Sequence, residues 1–186
     1  MNTTVMWEAL AWPGLEHLIV RTTDDAIEAD GMIVALDERP LRIRYNLSCH
    51  PDWTTRRLVV EELDGGTILT FQSDGAGRWT DANDQEIEAL AGCVDVDIAA
   101  TPFTNSLPIR RLDWHVGQVR DLRMLWILVP ELTVRAADQR YTCLATDPDG
   151  ATYRFESGSF TTEIRVDRDG LVLEYPDLWR RIWPDA

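Results

Sequence analysis

A chain of 186 residues, 45% hydrophobic and 27% charged, has enough apolar surface for one domain, spanning residues 1–186, with a sizeable core, which excludes wholesale disorder. Its net charge of -14 excludes the basic footprint that nucleic acid or an anionic membrane needs as a main partner. No apolar run is long enough for a transmembrane segment, and the N-terminus lacks the basic start and apolar core of a signal peptide, so a cytoplasmic location is expected.

In chain order, Leu18 and Val20 precede a turn at Thr23-Asp24-Asp25, and residues 26–36 read as a longer strand interrupted by a bulge or tight bend at Asp30-Gly31. Leu41, Ile43, Tyr45 and Leu47 then alternate with Arg42, Arg44, Asn46 and Ser48, the cleanest period-two segment of the protein. This predicts the apolar set in the interior and the two arginines on the other face. His50-Pro51-Asp52-Trp53 makes a turn, and Asp64-Gly65-Gly66 joins strands at 54–63 and 67–73 as a hairpin. After Asp74-Gly75-Ala76-Gly77 and Arg78-Trp79, residues 84–90 suit a helical turn or loop.

Residues 92–112 carry the densest punctuation. Val94, Val96 and Ile98 alternate with Asp95 and Asp97, so one strand face is apolar and the other bears two carboxylates. Thr101-Pro102, Asn105-Ser106 and Pro108 make a stiff connection, and Ile109-Arg110-Arg111-Leu112 reads as extended again. On a strand the two arginines point to opposite faces; which one points inward is left open. Asp95 and Asp97 suit either a structural ion pair with these arginines or a site for a cation or for acid and base chemistry.

Further on, residues 119–129 end in a nearly continuous apolar stretch from Met124, expected to be buried on both faces and broken by Pro130. Strand patterns resume over 131–143, around Tyr153 and Phe155, and at Phe160, Thr162, Ile164 and Val166, with turns at Asp147-Pro148-Asp149-Gly150 and Asp167-Arg168-Asp169-Gly170 leading into 171–175. Residues 177–183 suit one short amphipathic helix. About a dozen strands with little helix imply a mainly β fold: a single large curved antiparallel sheet, a half-barrel or open barrel, with one or two short helices.

The motifs of common chemistries are missing. His17, His50 and His115 lack metal-ligand spacing, the three separated cysteines Cys49, Cys93 and Cys143 suit reduced core residues, and neither a nucleophile elbow nor a phosphate loop nor a dinucleotide fingerprint occurs. No metal and no cofactor are expected. All eighteen basic residues are arginine, so there is no lysine amine for Schiff-base chemistry. Eight tryptophans supply broad amphipathic surfaces, for a thick core or for the wall of an apolar cavity.

Several stretches together carry a resemblance: Asp95-Val96-Asp97-Ile98, Thr101-Pro102-Phe103-Thr104-Asn105, Leu107-Pro108-Ile109-Arg110-Arg111-Leu112, then Gly77-Arg78-Trp79, Gln139-Arg140-Tyr141, Val166-Asp167, Gly170-Leu171-Val172 and Tyr175-Pro176. In these the chain resembles the "putative glycolipid-binding" proteins, small bacterial domains, along nearly its whole length. The resemblance implies a curved antiparallel sheet like that of lipid or lipoprotein carriers. It leaves activity to be argued from the site.

The expected function is therefore binding of an amphiphilic small molecule or glycolipid in a concave aromatic face. Tyr45, Trp53, Trp79 and Tyr141 are its expected aromatic wall. Asp95, Asp97, Phe103, Asn105, Arg110 and Arg111 of the central segment are expected to hold the head group. The alternative is an enzyme acting on a small polar or phosphorylated substrate through Asp95 and Asp97, with an arginine as anion anchor. Whether the concave face is open or filled, and the oligomeric state, are left open.

Overall fold

The structure, a computed structural model, describes residues 2–184. Among these the chain forms fourteen strands, β1 (Asn2–Ala9), β2 (Gly14–Thr22), β3 (Ile27–Leu36), β4 (Pro40–Cys49), β5 (Thr55–Glu62), β6 (Thr67–Ser73), β7 (Trp79–Thr80), β8 (Asp95–Ile98), β9 (Val119–Leu128), β10 (Thr133–Asp147), β11 (Gly150–Ser157), β12 (Phe160–Asp167), β13 (Val172–Tyr175) and β14 (Trp179–Trp183). One helix, α1 (Ser106–Arg111), and 3-10 turns at Glu88–Leu90 and Phe103–Asn105 complete them. All fourteen strands join one open, unclosed sheet in the order β7-β6-β5-β4-β3-β2-β1-β14-β13-β12-β11-β10-β9-β8. Among the described residues no helix is long and apolar enough to cross a membrane.

The period-two pattern sets the sheet's two faces. In β4, Leu41, Ile43, Tyr45 and Leu47 are buried while Arg42 and Arg44 are exposed, as their alternation predicts. The arginines pair with Asp64 and Asp30 on the outer face. Exposed pairs of this kind add little stability. Gly31 in β3 lies directly opposite Tyr45, and a Cβ there would come 2.1 Å from the Tyr45 ring. The missing side chain lets the ring lie flat across the strand, so a glycine in the middle of a strand is here a packing requirement. Cys49, Cys93 and Cys143 are buried and unbridged.

Two elements depart from the sequence reading. Residues 177–183 are not a helix: β14 inserts between β1 and β13, pairing antiparallel with both. The spacing of its apolar residues fits helix and strand alike, and two waiting strand edges decide the matter. Residues 109–111 are not extended either, and only Leu112 after them is, because α1 runs through Arg111 with Pro108 in its first turn. Proline is tolerated there, since its missing N–H would have had no intrahelical partner. The sheet also departs from pure antiparallel order at its end, where β8 pairs with β9 in parallel.

The two edge strands, β7 and β8, are neighbours in the chain, and residues 81–94 carry it from one edge to the other. The Gly92 N–H donates to the Gly77 carbonyl at 2.8 Å, and Trp79 Nε1–H donates to the Cys93 carbonyl at 2.7 Å. Gly77 has φ +101°, and a Cβ on it would come 2.9 Å from Gly92 Cα, so only glycine allows the two backbones this approach.

Candidate functional site

Residues 101–109 are buried without exception. They leave the end of β8, pass through the 3-10 turn and α1, and fill the middle of the concave face with the chain's own atoms. Thr101 holds the start: its hydroxyl donates to Glu16 Oε1 at 2.8 Å and accepts the Phe103 N–H at 3.0 Å. Tyr45 donates to the same Glu16 oxygen at 2.5 Å, and its ring stacks on Phe103 with centroids 6.3 Å apart. Glu16 is wholly buried, and its Oε2 has no hydrogen-bond partner. Burial pushes its carboxyl up to about 8 against the hydrogen bonds from Tyr45 and Thr101, so at neutral pH the group is largely an uncharged acid.

The two aspartates of β8 point the same way, as residues two apart on a strand must, and meet different partners. Asp95 is 1% exposed and accepts two hydrogen bonds from Arg111, at 3.0 and 2.6 Å. Burial raises its pKa while Arg111 opposes the rise, and this bidentate pair ties the end of α1 back to β8. Asp97 meets no arginine. Its Oδ2 accepts from Gln139 Nε2 at 2.5 Å and its Oδ1 from the Thr104 hydroxyl at 3.4 Å, with burial again pushing the carboxyl up. Asn105 Nδ2 donates to the Tyr141 hydroxyl at 2.8 Å. Arg110 leaves the helix on its exposed side and lies over the Trp53 ring, 5.2 Å from its centroid. On a helix the two arginines diverge by about 100° rather than facing opposite ways.

Two grooves meet at Ala99, just past the end of β8. One, of about 420 Å³, is walled by Trp126, Phe155, Phe160, Tyr175 and Trp179, with Asp97, Thr101, Asn105, Arg135 and Ser157 as its polar residues. The other, of about 330 Å³, is apolar apart from Asp37, with Trp12, Ile33, Leu41, Val129 and Pro130 among its walls. Ala99 lines both. Trp12 of the second meets Trp179 of the first edge to face, centroids 5.5 Å apart. A larger hollow of about 500 Å³, bounded by Asp121, Arg123, Asp138, Arg140 and Glu156, has no aromatic wall and is set among exposed ion pairs.

Of the residues singled out from sequence, Asp97 and Asn105 line the aromatic groove, and Tyr141 stands behind Asn105. Tyr45 and Phe103 pack against each other in the core, Trp79 ties the sheet edges together, Trp53 sits under Arg110, and Asp95 and Arg111 satisfy one another. Sequence reasoning missed Glu16, Trp126 and Arg135. The signal for the last two was countable: stepping outward from the turn at 129–132, the β9–β10 hairpin sets Trp126 opposite Arg135.

Comparison with known proteins then bears on this geometry. A family described as "Putative glycolipid-binding" matches residues 4–181. A crystal structure of a DUF1089 family protein from Pseudomonas aeruginosa is 38% identical, with a TM-score of 0.77, over 91% of this chain and 92% of that one. No curated protein matches.

Proposed function

The chain belongs to the "Putative glycolipid-binding" family, and from that premise we propose that it binds an amphiphile, with a hydroxyl-bearing head in the aromatic groove and an apolar chain in the groove beside it. The observation that carries this reading is the shared wall at Ala99, which sets a groove of aromatic and polar side chains next to one whose side chains are apolar except for Asp37. A sugar ring offers C–H faces that pack on aromatic rings and hydroxyl edges that seek fixed donors and acceptors. Asp97 and Asn105 supply those at one side of the groove, each already oriented by a buried partner, Gln139 and Tyr141.

Titration calorimetry with dodecyl maltoside below its micellar concentration tests the reading. Saturable binding at least about tenfold tighter than that of maltose is expected, since chain burial contributes roughly 0.8 kcal/mol per methylene. Ala99 is exposed, so Ala99→Trp should fill the shared wall and abolish binding without lowering Tm. Unchanged binding in that variant, or none in the parent, would overturn the proposal.

A further inference from the structure

We propose that Arg135 selects amphiphiles whose head group carries an oxyanion beside its hydroxyls. The inference rests on the amphiphile reading above and names the ligand class within it. Asp97 pairs with Trp126 across β8 and β9, and Trp126 with Arg135 across β9 and β10. Carboxyl, indole and guanidinium thus form one row on one face of three adjacent strands, spaced by about 4.8 Å per strand. The Arg135 guanidinium carbon lies 4.5 Å from the centroid of the Trp126 ring, and both side chains line the aromatic groove.

Among the described residues no carboxylate pairs with Arg135, which is exposed. The described residues make nine side-chain ion pairs, which engage Arg123 and Arg140, its neighbouring arginines in the chain, and none includes Arg135. Nine of the eighteen arginines make no ion pair with a described residue; of these, Arg110 and Arg135 lie over an indole, and Arg135 is the one that lines the aromatic groove. The acid of the same row, Asp97, is already engaged by Gln139 and Thr104. The indole beneath it limits where the guanidinium can move, and a guanidinium lining the groove offers the forked N–H donors that a phosphate, sulfate or carboxylate fits. Long-range electrostatics cannot substitute for this contact, because a net charge of -14 repels anions.

Two chain-matched pairs of probes separate the anion from everything else. Dodecyl glucoside and dodecyl glucuronide differ by a carboxylate; monolauroylglycerol and lauroyl lysophosphatidylglycerol differ by a phosphate. At 0.15 M salt the charged member of at least one pair should bind about tenfold tighter or better, the scale of one charge-assisted hydrogen-bonded contact, and the pair that shows it identifies the oxyanion. Arg135→Gln should bring the affinity ratio within that pair to about one, with Tm unchanged, and Arg135→Lys should restore only part of the preference. Equal binding within both pairs, or a preference that survives Arg135→Gln, would refute the inference while leaving the amphiphile reading intact. Failure of all four probes to bind would remove that reading and this inference with it.

Discussion

Glu16 shares its strand face with Leu18 and Val20 and is wholly buried, so it is tolerated there only with its proton on. The unfolded chain releases that proton near 4.5, the folded protein near 8. Between those values the native state holds a proton that the unfolded state lacks, so Glu16 stabilises fully below about 4.5 and its contribution falls as pH rises toward 8. The slope reaches about 1.4 kcal/mol per pH unit. Glu16→Gln keeps the neutral shape and removes the titration: from pH 5 to 8.5 its Tm should fall less than that of the parent, which parallel thermal melts will show. The two aspartates of β8 separate in the same way. Asp95→Asn leaves Arg111 unpaired with its side chain only 16% exposed, a loss of about 3 kcal/mol. At Asp97 no cation is stranded, and the Gln139 amide can turn so that its unpartnered Oε1 accepts from the new Nδ2–H. Asp97→Asn should therefore cost under about 1 kcal/mol, and urea denaturation of the two variants measures the difference.

At the scale of the element, the decisive contacts cross between strands. Gly31→Ala would drive a methyl into the Tyr45 ring and push its hydroxyl away from Glu16. We expect a loss of about 1–3 kcal/mol, the range for an overfilled core. In a Tyr45→Leu background the same change should cost much less, a coupling that a double-mutant cycle reads directly. What was legible in sequence divides along the same line. The alternation of 41–47 fixed β4 and its faces because period two is a property of a single strand. Asp97 and Asn105 could be singled out because they sit amid local punctuation. Trp126 and Arg135 could not be joined to Asp97 without the β9–β10 register and the parallel β8–β9 pairing, which belong to no single segment. β14 is a strand for a similar reason: only the presence of β1 and β13 on its two sides makes it one.

At the scale of the whole molecule, strands and the segments between them wall the grooves together, and the two edge strands of the sheet are short: β7 has two residues and β8 four. Short edges offer little template for pairing with another chain. Thr101 and Asn105 of the buried segment 101–109 form part of the aromatic groove's wall, so this segment bounds that groove on one side.

The pairing of β1 with β14 has a further consequence. Read around the sheet from β8 to β14 and on through β1 to β7, the spatial order of strands is the chain order cut at a different place. A circular permutant of residues 2–184 with a glycine-rich bridge from 184 to 2, opened between the exposed Ala82 and Asn83, would lay down every strand beside the one before it. Its β1–β14 pairing, separated by 172 positions at Glu8 and Arg180 in the natural chain, would become a local hairpin. Loop-closure entropy is then spent on short loops, and stopped-flow refolding should be faster in the permutant than in the parent. Equal rates would mean that the β1–β14 seam forms after the rate-limiting step, and that the two halves of the sheet fold before they meet.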